Sequence, residues 1–80
     1  MHIRVSDAEG NDIIGIPCEE DNTVLISSLQ SIFAGSIGLK YINSQNTFYL
    51  GVRCSDGKLF PPEGVWGSIV YLAVYNKGIL

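Results

Sequence analysis

The chain opens with alternating apolar and polar side chains. Ile3 and Val5 fall on one face and Arg4 on the other, which is the period of a half-buried β-strand. Residues 7–12 contain a Gly-Asn pair that tolerates positive φ, as hairpin turns require. The apolar run that follows ends at Pro17, which has no N–H to donate to a ladder. The pattern predicts an amino-terminal β-hairpin.

An acidic segment followed by an apolar periodic run predicts one helix. Residues 19–23 carry capping side chains and negative charges, which suit the free N–H groups and the positive dipole end of a helix start. The apolar positions that recur at helical spacing are Leu25, Leu29, Ile32 and Phe33. Gly35 is placed to end the helix at its C′ position. Serines and β-branched residues weaken the intrinsic helix propensity, so we expect the helix to depend on packing against a sheet.

The second half of the chain is rich in strand signals. Segments 39–43 and 48–53 are aromatic and β-branched runs separated by a polar turn, which predicts a second hairpin. Ser-Asp-Gly at 55–57 indicates a tight turn before a short strand that two prolines end. Residues 68–75 form the longest apolar strand candidate, without charge or proline. Because such a strand aggregates when exposed, we place it centrally in the sheet, covered by the helix.

These elements predict the fold class. One helix packed across a mixed sheet whose first two strands form a hairpin describes an α+β, ubiquitin-like β-grasp with five to six strands. The competing architecture is a small all-β barrel with one helical insertion, because short apolar runs are ambiguous by period. Eighty residues suit a single domain, 1–80. Trp66, in a Gly-rich loop, is expected to plug the end of the core.

Composition and charge narrow the function. Hydrophobic residues make up 46% of the chain and charged residues 16%, the reverse of a disordered segment. A net charge of −3 argues against a free-standing nucleic-acid binder, which needs several Lys or Arg contacts to phosphates on one face. The uncharged apolar run 69–75 is too short for a membrane helix of about 20 residues. We therefore expect no membrane partner.

Side chains suited to catalysis are scarce. The one histidine, His2, lies beside the terminus, whereas nucleophilic triads need an imidazole held in a cleft. The adjacent carboxylates at 19–21 would point in different directions, whereas acid–base pairs converge on one substrate. Cys18 and Cys54 have no neighbouring metal ligand in sequence, and we interpret them as reduced structural thiols. The prediction is a non-enzymatic domain with no cofactor and no metal.

The charges are divided along the chain. Residues 1–21 carry one cation and six anions, whereas residues 22–80 carry four cations and two anions. If the two sets lie on opposite sides of one small domain, copies can meet acidic face to basic face. Such heterologous contacts extend into open filaments unless the rotation closes them. The same division is also compatible with plain solvation of the surface.

Two other functions stay open. A monomeric β-grasp adaptor would bind another protein through its sheet. Weak binding of single-stranded nucleic acid would use Tyr41 and Tyr49 as stacking surfaces, beside Lys40 and Arg53.

Four groups of residues are specific when taken together. The groups are Ile3-Arg4-Val5; Ile16-Pro17 with Glu19-Glu20-Asp21 and Thr23-Val24-Leu25; Gly38-Leu39-Lys40-Tyr41 with Asn43 and Gly51-Val52-Arg53; and Gly57-Lys58-Leu59-Phe60-Pro61-Pro62 with Trp66-Gly67 and Tyr71. Their combined spacing resembles the N-terminal domain of the TAR DNA-binding protein family, nuclear RNA-binding proteins with paired RNA-recognition motifs. The alignment runs without gaps over nearly the whole chain.

The resemblance implies a ubiquitin-like fold related in use to the DIX domain. It also implies reversible head-to-tail self-association that supports control of RNA splicing by a full-length nuclear protein. Nuclear localisation is expected on the same ground. The implied partner of this domain is a second copy of itself, and RNA would be bound by RNA-recognition motifs that are absent from these 80 residues.

The resemblance also implies which residues make the contact on the acidic side. The family uses three carboxylates there, and the corresponding residues of this chain are Asp12, Gly15 and Glu19. Asp12 and Glu19 keep the charge, and Gly15 does not.

On the opposing side the family uses two arginines and a glutamine. Arg53 keeps one arginine, whereas Leu50 and Ile32 replace the other arginine and the glutamine. A serine whose phosphorylation would weaken the contact corresponds to Asn46, so this switch is expected to be absent. Loss of charge could abolish assembly, or Leu50 and Ile32 could make the contact more apolar and less sensitive to salt.

Overall fold

The computed structural model describes residues 1–7 and 12–76. Their elements, in chain order, are β1 (His2–Ser6), β2 (Ile13–Pro17), β3 (Val24–Leu25), α1 (Ile26–Ile32), β4 (Ser36–Ile42), β5 (Tyr49–Gly51), β6 (Cys54–Ser55), β7 (Lys58–Leu59), a 3-10 turn (Pro62–Gly64) and β8 (Val70–Tyr75).

Five of the strands form one mixed sheet, in the order β2-β1-β8-β4-β5. β1 pairs antiparallel with β2 and parallel with β8, and β4 pairs antiparallel with β8 and β5. The last strand in the chain therefore occupies the centre of the sheet, as predicted from its apolar character. With α1 packed on one face, this arrangement confirms the α+β, ubiquitin-like β-grasp.

A second, smaller sheet has the order β3-β7-β6. β6 and β7 form a hairpin whose turn residues, Asp56 and Gly57, have φ of 52° and 76°. Two consecutive positive φ values match the right-handed twist of a two-residue hairpin, which explains the Asp-Gly pair. The carbonyl of Gly57 accepts the N–H of Ile26 at 2.9 Å, so this hairpin also holds the start of α1.

The hydrophobic core lies between α1 and the five-stranded sheet. Its buried members are Ile3, Val5, Ile16, Val24, Leu29, Phe33, Leu39, Leu59, Trp66, Tyr71 and Ala73. Ile3 and Val5 are buried and Arg4 is exposed, which confirms the alternation predicted for the first strand. Trp66 is 1% exposed, so it plugs the core as expected.

The start of the helix differs from the sequence prediction. Val24 and Leu25 form β3 and pair with Leu59 and Lys58, so that α1 begins only at Ile26. Its N-cap, Leu25, makes no side-chain hydrogen bond. The acidic segment 19–23 therefore does not cap the helix, because the strand pairing of Val24 separates the two.

The end of the helix also differs in part. Leu29 and Phe33 are buried as the predicted stripe requires, but Ile32 is exposed. Phe33 is the C-cap residue, and Gly35 adopts φ of 85° two positions beyond it rather than at C′. The left-handed backbone at Gly35 turns the chain from α1 into β4, which is the role that favours glycine there.

Of two turns predicted from the sequence, one lies within the described residues and can be compared with the structure. In the β4–β5 turn, the Asn43 side chain donates to Thr47 Oγ1 at 2.8 Å, and its Oδ1 accepts the N–H groups of Thr47 and Phe48. This confirms the polar turn of the second hairpin. The predicted reversal at Gly10 and Asn11 lies outside the described residues.

No helix among the described residues has the length and hydropathy needed to cross a membrane.

Candidate functional site

Asp12 and Glu19 flank β2, which is one edge strand of the five-stranded sheet. Both residues are exposed. The backbone of Glu19 is held by the following turn, because its N–H donates to the carbonyl of Thr23 at 2.7 Å and its carbonyl accepts the N–H of Asn22 at 2.9 Å. Its place after β2 is therefore set by backbone hydrogen bonds. We refer to β2 with Asp12 and Glu19 as the acidic edge.

Gly15, in the middle of the acidic edge, lies opposite Arg4 on β1. A Cβ atom at this position would lie 2.9 Å from Cδ2 of His2, closer than normal contact. Any side chain at position 15 would therefore have to displace the His2 ring. The missing carboxylate at Gly15 is thus accompanied by an imidazole that occupies its space.

Leu50 and Arg53 lie at the other edge of the sheet. Leu50 is in β5, the second edge strand, and Arg53 follows that strand by two residues. The Arg53 guanidinium lies over the Phe60 ring, 5.2 Å from its centroid, and the Arg53 carbonyl accepts the N–H of Phe60 at 2.9 Å. Four strand spacings of about 4.8 Å separate β2 from β5, or about 19 Å. The carboxylates and the arginine predicted to meet are therefore on opposite edges of one copy.

Ile32 and Asn46 are the other two residues predicted for the opposing side. Ile32 is the last residue of α1 and is exposed. Asn46 lies in the β4–β5 turn with φ of 58°, and its N–H donates to the carbonyl of Asn43. Neither residue lines a groove beside β5, and their part in the contact stays a prediction.

Two grooves open beside β5. The Arg53 groove has a volume of about 750 Å³, and Arg53, Phe60 and Asp21 are among its lining residues. The Leu50 groove has a volume of about 410 Å³ and is lined by Leu50, Val65, Ile69, Trp66 and Tyr71, among others. Both grooves also include Tyr41, Pro62 and Glu63 in their lining, so these three residues form the ridge between them.

Asp21 is the acid most strongly perturbed by its neighbours. Its Oδ2 accepts a hydrogen bond from Lys58 Nζ at 2.8 Å, and its Oδ1 accepts from Thr23 Oγ1 and the Thr23 N–H. These hydrogen bonds hold the pKa of Asp21 well below its usual range, and the bond to Asp21 raises the pKa of Lys58. Lys58 is therefore committed to a contact inside the domain.

The remaining cations of the middle strands differ in their surroundings. Lys40 Nζ lies 4.5 Å from the centroid of the Tyr49 ring, on the sheet face opposite to Leu50. Arg53 makes no ion pair with a carboxylate of the described residues. Arg53 is therefore the cation at this edge that is free to bind a carboxylate from outside the domain.

Tyr41 and Tyr49 point to opposite faces of the sheet. Tyr41 pairs with Leu50, and Tyr49 pairs with Ile42. Residues that pair directly share a face and successive residues alternate, so the two tyrosines cannot share one. Tyr41 packs edge-on against Tyr71, with ring centroids 5.6 Å apart. This geometry is wrong for the joint stacking surface that single-stranded nucleic acid would need.

The two cysteines are free thiols in different environments. Cys18 packs against the core, and burial raises the pKa of its thiol. Cys54 is exposed in β6. No group of three or more His, Cys, Asp or Glu side chains suited to a metal ion occurs within residues 1–7 and 12–76.

The sequence did not point to the Leu50 groove. Val65 and Ile69 are exposed there although they flank the buried Trp66. The sequence predicts Val65 in a Gly-rich loop and Ile69 within the last strand, but β8 begins only at Val70, so Ile69 belongs to the loop. Local patterns do not show that this loop folds back beside β5.

A comparison with known protein families gives one match over nearly the full chain. The family model described as "TAR DNA-binding protein 43, N-terminal domain" matches residues 2–75. The matched range includes both edge strands, the acidic edge and the two grooves.

Proposed function

The chain belongs to the family of the N-terminal domain of TAR DNA-binding protein 43, a family of nuclear RNA-binding proteins, and we propose that it is a head-to-tail self-association module of such a protein. The module is non-enzymatic, and its assembly supports the control of RNA splicing and processing in the nucleus. RNA is bound by other domains of the full-length protein.

The observation that carries this proposal is the placement of unlike charges on opposite edges of one sheet. Asp12 and Glu19 flank β2, and Arg53 follows β5. When the acidic edge of one copy meets Arg53 of the next, the pair keeps one unused surface of each kind, because each copy has used only one of its two. A contact of this heterologous type adds further copies in the same direction until the chain is capped or closes into a ring.

The charges make this contact weak and specific rather than strong. An exposed ion pair contributes only about 0–1 kcal/mol. The acidic edge lacks a carboxylate at Gly15, and Leu50 brings no charge to the opposing edge. Asp21 and Glu63 also line the Arg53 groove and repel an incoming carboxylate. We therefore expect reversible association at high protein concentration.

Charge reversal on each edge tests the proposal. Arg53→Glu and Asp12→Arg should each lower the association constant, measured by sedimentation velocity over a concentration series. A mixture of the two variants should regain association, because Asp12 of the first variant meets Arg53 of the second and the two reversed charges are again opposite in sign. Lys40→Glu is the control for Arg53→Glu, since it makes the same change in net charge on the sheet face opposite to Leu50.

Two results would contradict the proposal. A wild-type domain that stays strictly monomeric at millimolar concentration rules out self-association. In that case the Leu50 groove favours the second candidate, a monomeric adaptor that binds another protein. Unchanged association in both Arg53→Glu and Asp12→Arg rules out these edges as the interface.

A further inference from the structure

Exposed apolar side chains lie beside the charges on both edges. Ile13 directly follows Asp12 on β2 and is 58% exposed. At the other edge, Leu50, Val65 and Ile69 are exposed around the Leu50 groove, and Val65 reaches 67%. Each edge of the sheet therefore presents apolar surface next to the charge proposed to bind the neighbouring copy.

We propose that Ile13 of one copy inserts into the Leu50 groove of the next and acts as the specificity-determining residue of the contact. This inference rests on the proposed head-to-tail function and identifies the part of the interface that charge does not supply. Ile13 cannot fill the groove of its own copy, because β2 and β5 are about 19 Å apart across the sheet. Ile13 can therefore reach this groove only on a second copy.

The lining of the Leu50 groove suits an apolar side chain. Trp66 and Tyr71 are buried behind it, and Leu50, Val65 and Ile69 add aliphatic surface. Among the described residues that line it, Glu63, an exposed acid, is the only charged one. The described lining of the Leu50 groove has no cation, unlike that of the Arg53 groove, so it offers an isoleucine a site but gives Asp12 or Glu19 of an incoming copy no partner. The volume of about 410 Å³ accommodates a branched aliphatic side chain.

The two grooves adjoin each other, as Asp12 and Ile13 do along the chain. Consecutive Cα atoms are about 3.8 Å apart, and in extended backbone their side chains point to opposite sides. The Arg53 groove and the Leu50 groove are separated only by the ridge that includes Pro62 and Glu63. An edge strand laid against this ridge places Asp12 on the Arg53 side and Ile13 on the Leu50 side.

An apolar contact also supplies attraction that salt does not screen, which Arg53 alone does not provide. Attraction between exposed charges is screened by salt, with a Debye length of about 8 Å at physiological ionic strength. Removal of apolar surface from water does not depend on complementary charge. Ile13 therefore adds attraction that persists at ionic strengths where the Arg53 contact weakens.

A pair of matched isoleucine variants tests the role of Ile13. Ile13→Thr keeps the β-branch that suits a strand and removes most of the apolar surface. Ile37→Thr makes the same change at a residue of similar exposure, 54%, that lines neither groove. We expect Ile13→Thr to weaken association at least about tenfold, equivalent to about 1.4 kcal/mol. Ile37→Thr should stay within about twofold of wild type, and Trp66 fluorescence should verify that both variants are folded.

Mixing variants then shows whether Ile13 and the groove contact each other. Val65→Asp places a charge at the rim of the Leu50 groove and should also weaken association. In a mixture, Ile13 of the Val65→Asp variant can still enter the intact groove of the Ile13→Thr variant. We expect dimers of near wild-type affinity that do not grow into chains. A mixture that associates no better than either variant alone would overturn the proposal.

Salt separates this inference from the proposed function. The loss caused by Ile13→Thr should be the same at low and high salt, whereas the loss caused by Arg53→Glu should shrink as salt rises. If Arg53→Glu weakens association and Ile13→Thr matches the Ile37→Thr control, the insertion of Ile13 is refuted and head-to-tail assembly stands. If the wild type does not associate at all, both are refuted.

Discussion

Trp66 and Asn22 are joined by a hydrogen bond in which the indole Nε1 donates to the Asn22 carbonyl at 2.8 Å. The bond connects the loop before β8 to the turn before β3. The Trp66 ring also meets Tyr71 edge-on, with centroids 5.3 Å apart, and the Tyr71 hydroxyl donates to the Trp66 carbonyl. One side chain thus fixes the loop that carries Val65 and Ile69 into the Leu50 groove.

Trp66→Phe should destabilise the domain by about 2 kcal/mol. The lost hydrogen bond accounts for about 1 kcal/mol, and the smaller ring leaves space in the core that adds a similar cost. Urea unfolding followed by circular dichroism measures the change, since the variant has no tryptophan. Phe48→Leu, at an exposed aromatic residue, is the control and should change stability by no more than about 0.5 kcal/mol. Equal stability of the two variants would contradict the structural role of Trp66.

Tyr71 predicts a loss of stability at alkaline pH. Burial, with a smaller effect of Tyr41, raises the pKa of Tyr71 to about 12, against about 10 for an unperturbed tyrosine. The folded chain holds this proton more tightly than the unfolded chain. The contribution is therefore complete below pH 10 and is lost as pH rises from about 10 to 12.

Tyr71→Phe should remove this pH dependence. The stability difference between wild type and variant, measured by urea unfolding, should shrink as pH rises from about 10 to 12. Tyr49→Phe, at an exposed tyrosine, should leave the alkaline loss as it is in the wild type. A constant difference between wild type and Tyr71→Phe across this range would show that Tyr71 does not cause the loss.

The contacts of Asp21 predict a loss of stability at acid pH. Its hydrogen bonds to Lys58 and Thr23 lower the pKa of Asp21 in the folded chain. The stabilisation is present above the unperturbed value of about 3.9 and is lost as pH falls through the lower folded value. Asp21→Asn should flatten the fall of the thermal midpoint below about pH 4. Glu20→Gln, at the adjacent exposed acid, is the control and should show the same fall of the thermal midpoint as the wild type. If the midpoint falls equally steeply in both variants, the contacts of Asp21 do not cause the acid loss of stability.

The two thiols should react at different rates with a disulfide reagent. Cys54 is exposed, whereas Cys18 packs against the core and its pKa is raised by burial. Because the thiolate is the reactive form, Cys18 should react more slowly at neutral pH. Cys54→Ser should remove the fast phase and Cys18→Ser the slow one. A single rate for both thiols in the folded protein would contradict their different environments.

The strands were more predictable than the helix because their pattern is local. The first strand is predicted by the alternation at Ile3 and Val5 alone, and the last strand by the apolar run that ends at Tyr75. The start of α1 depends instead on the pairing of Val24 with Leu59, a residue from a distant segment. Capping side chains just before an apolar run cannot reveal that a strand will intervene.

The residues of the candidate site were predicted one by one from the resemblance, without their neighbours in space. Arg53 and Leu50 lie at the edge of the sheet opposite to Asp12 and Glu19, and their neighbours Val65 and Ile69 come from a loop that folds back from later in the chain. The faces of Tyr41 and Tyr49 depend on hairpin register, which the residues between them do not specify. The amino-acid composition suggests a stacking surface at these two tyrosines, but the strand register places their rings on opposite faces of the sheet.

The central position of β8 has a consequence for synthesis of the protein. Arg4, on the first strand, pairs with Val70, on the last, and β4 is held to β1 only through β8. A ribosome delivers both hairpins before the strand that joins them, so the nascent chain must carry two unpaired strand edges until residue 75 has emerged. A premature stop codon upstream of Val70 would leave a product that cannot close its sheet, and quality control rather than assembly would determine its fate.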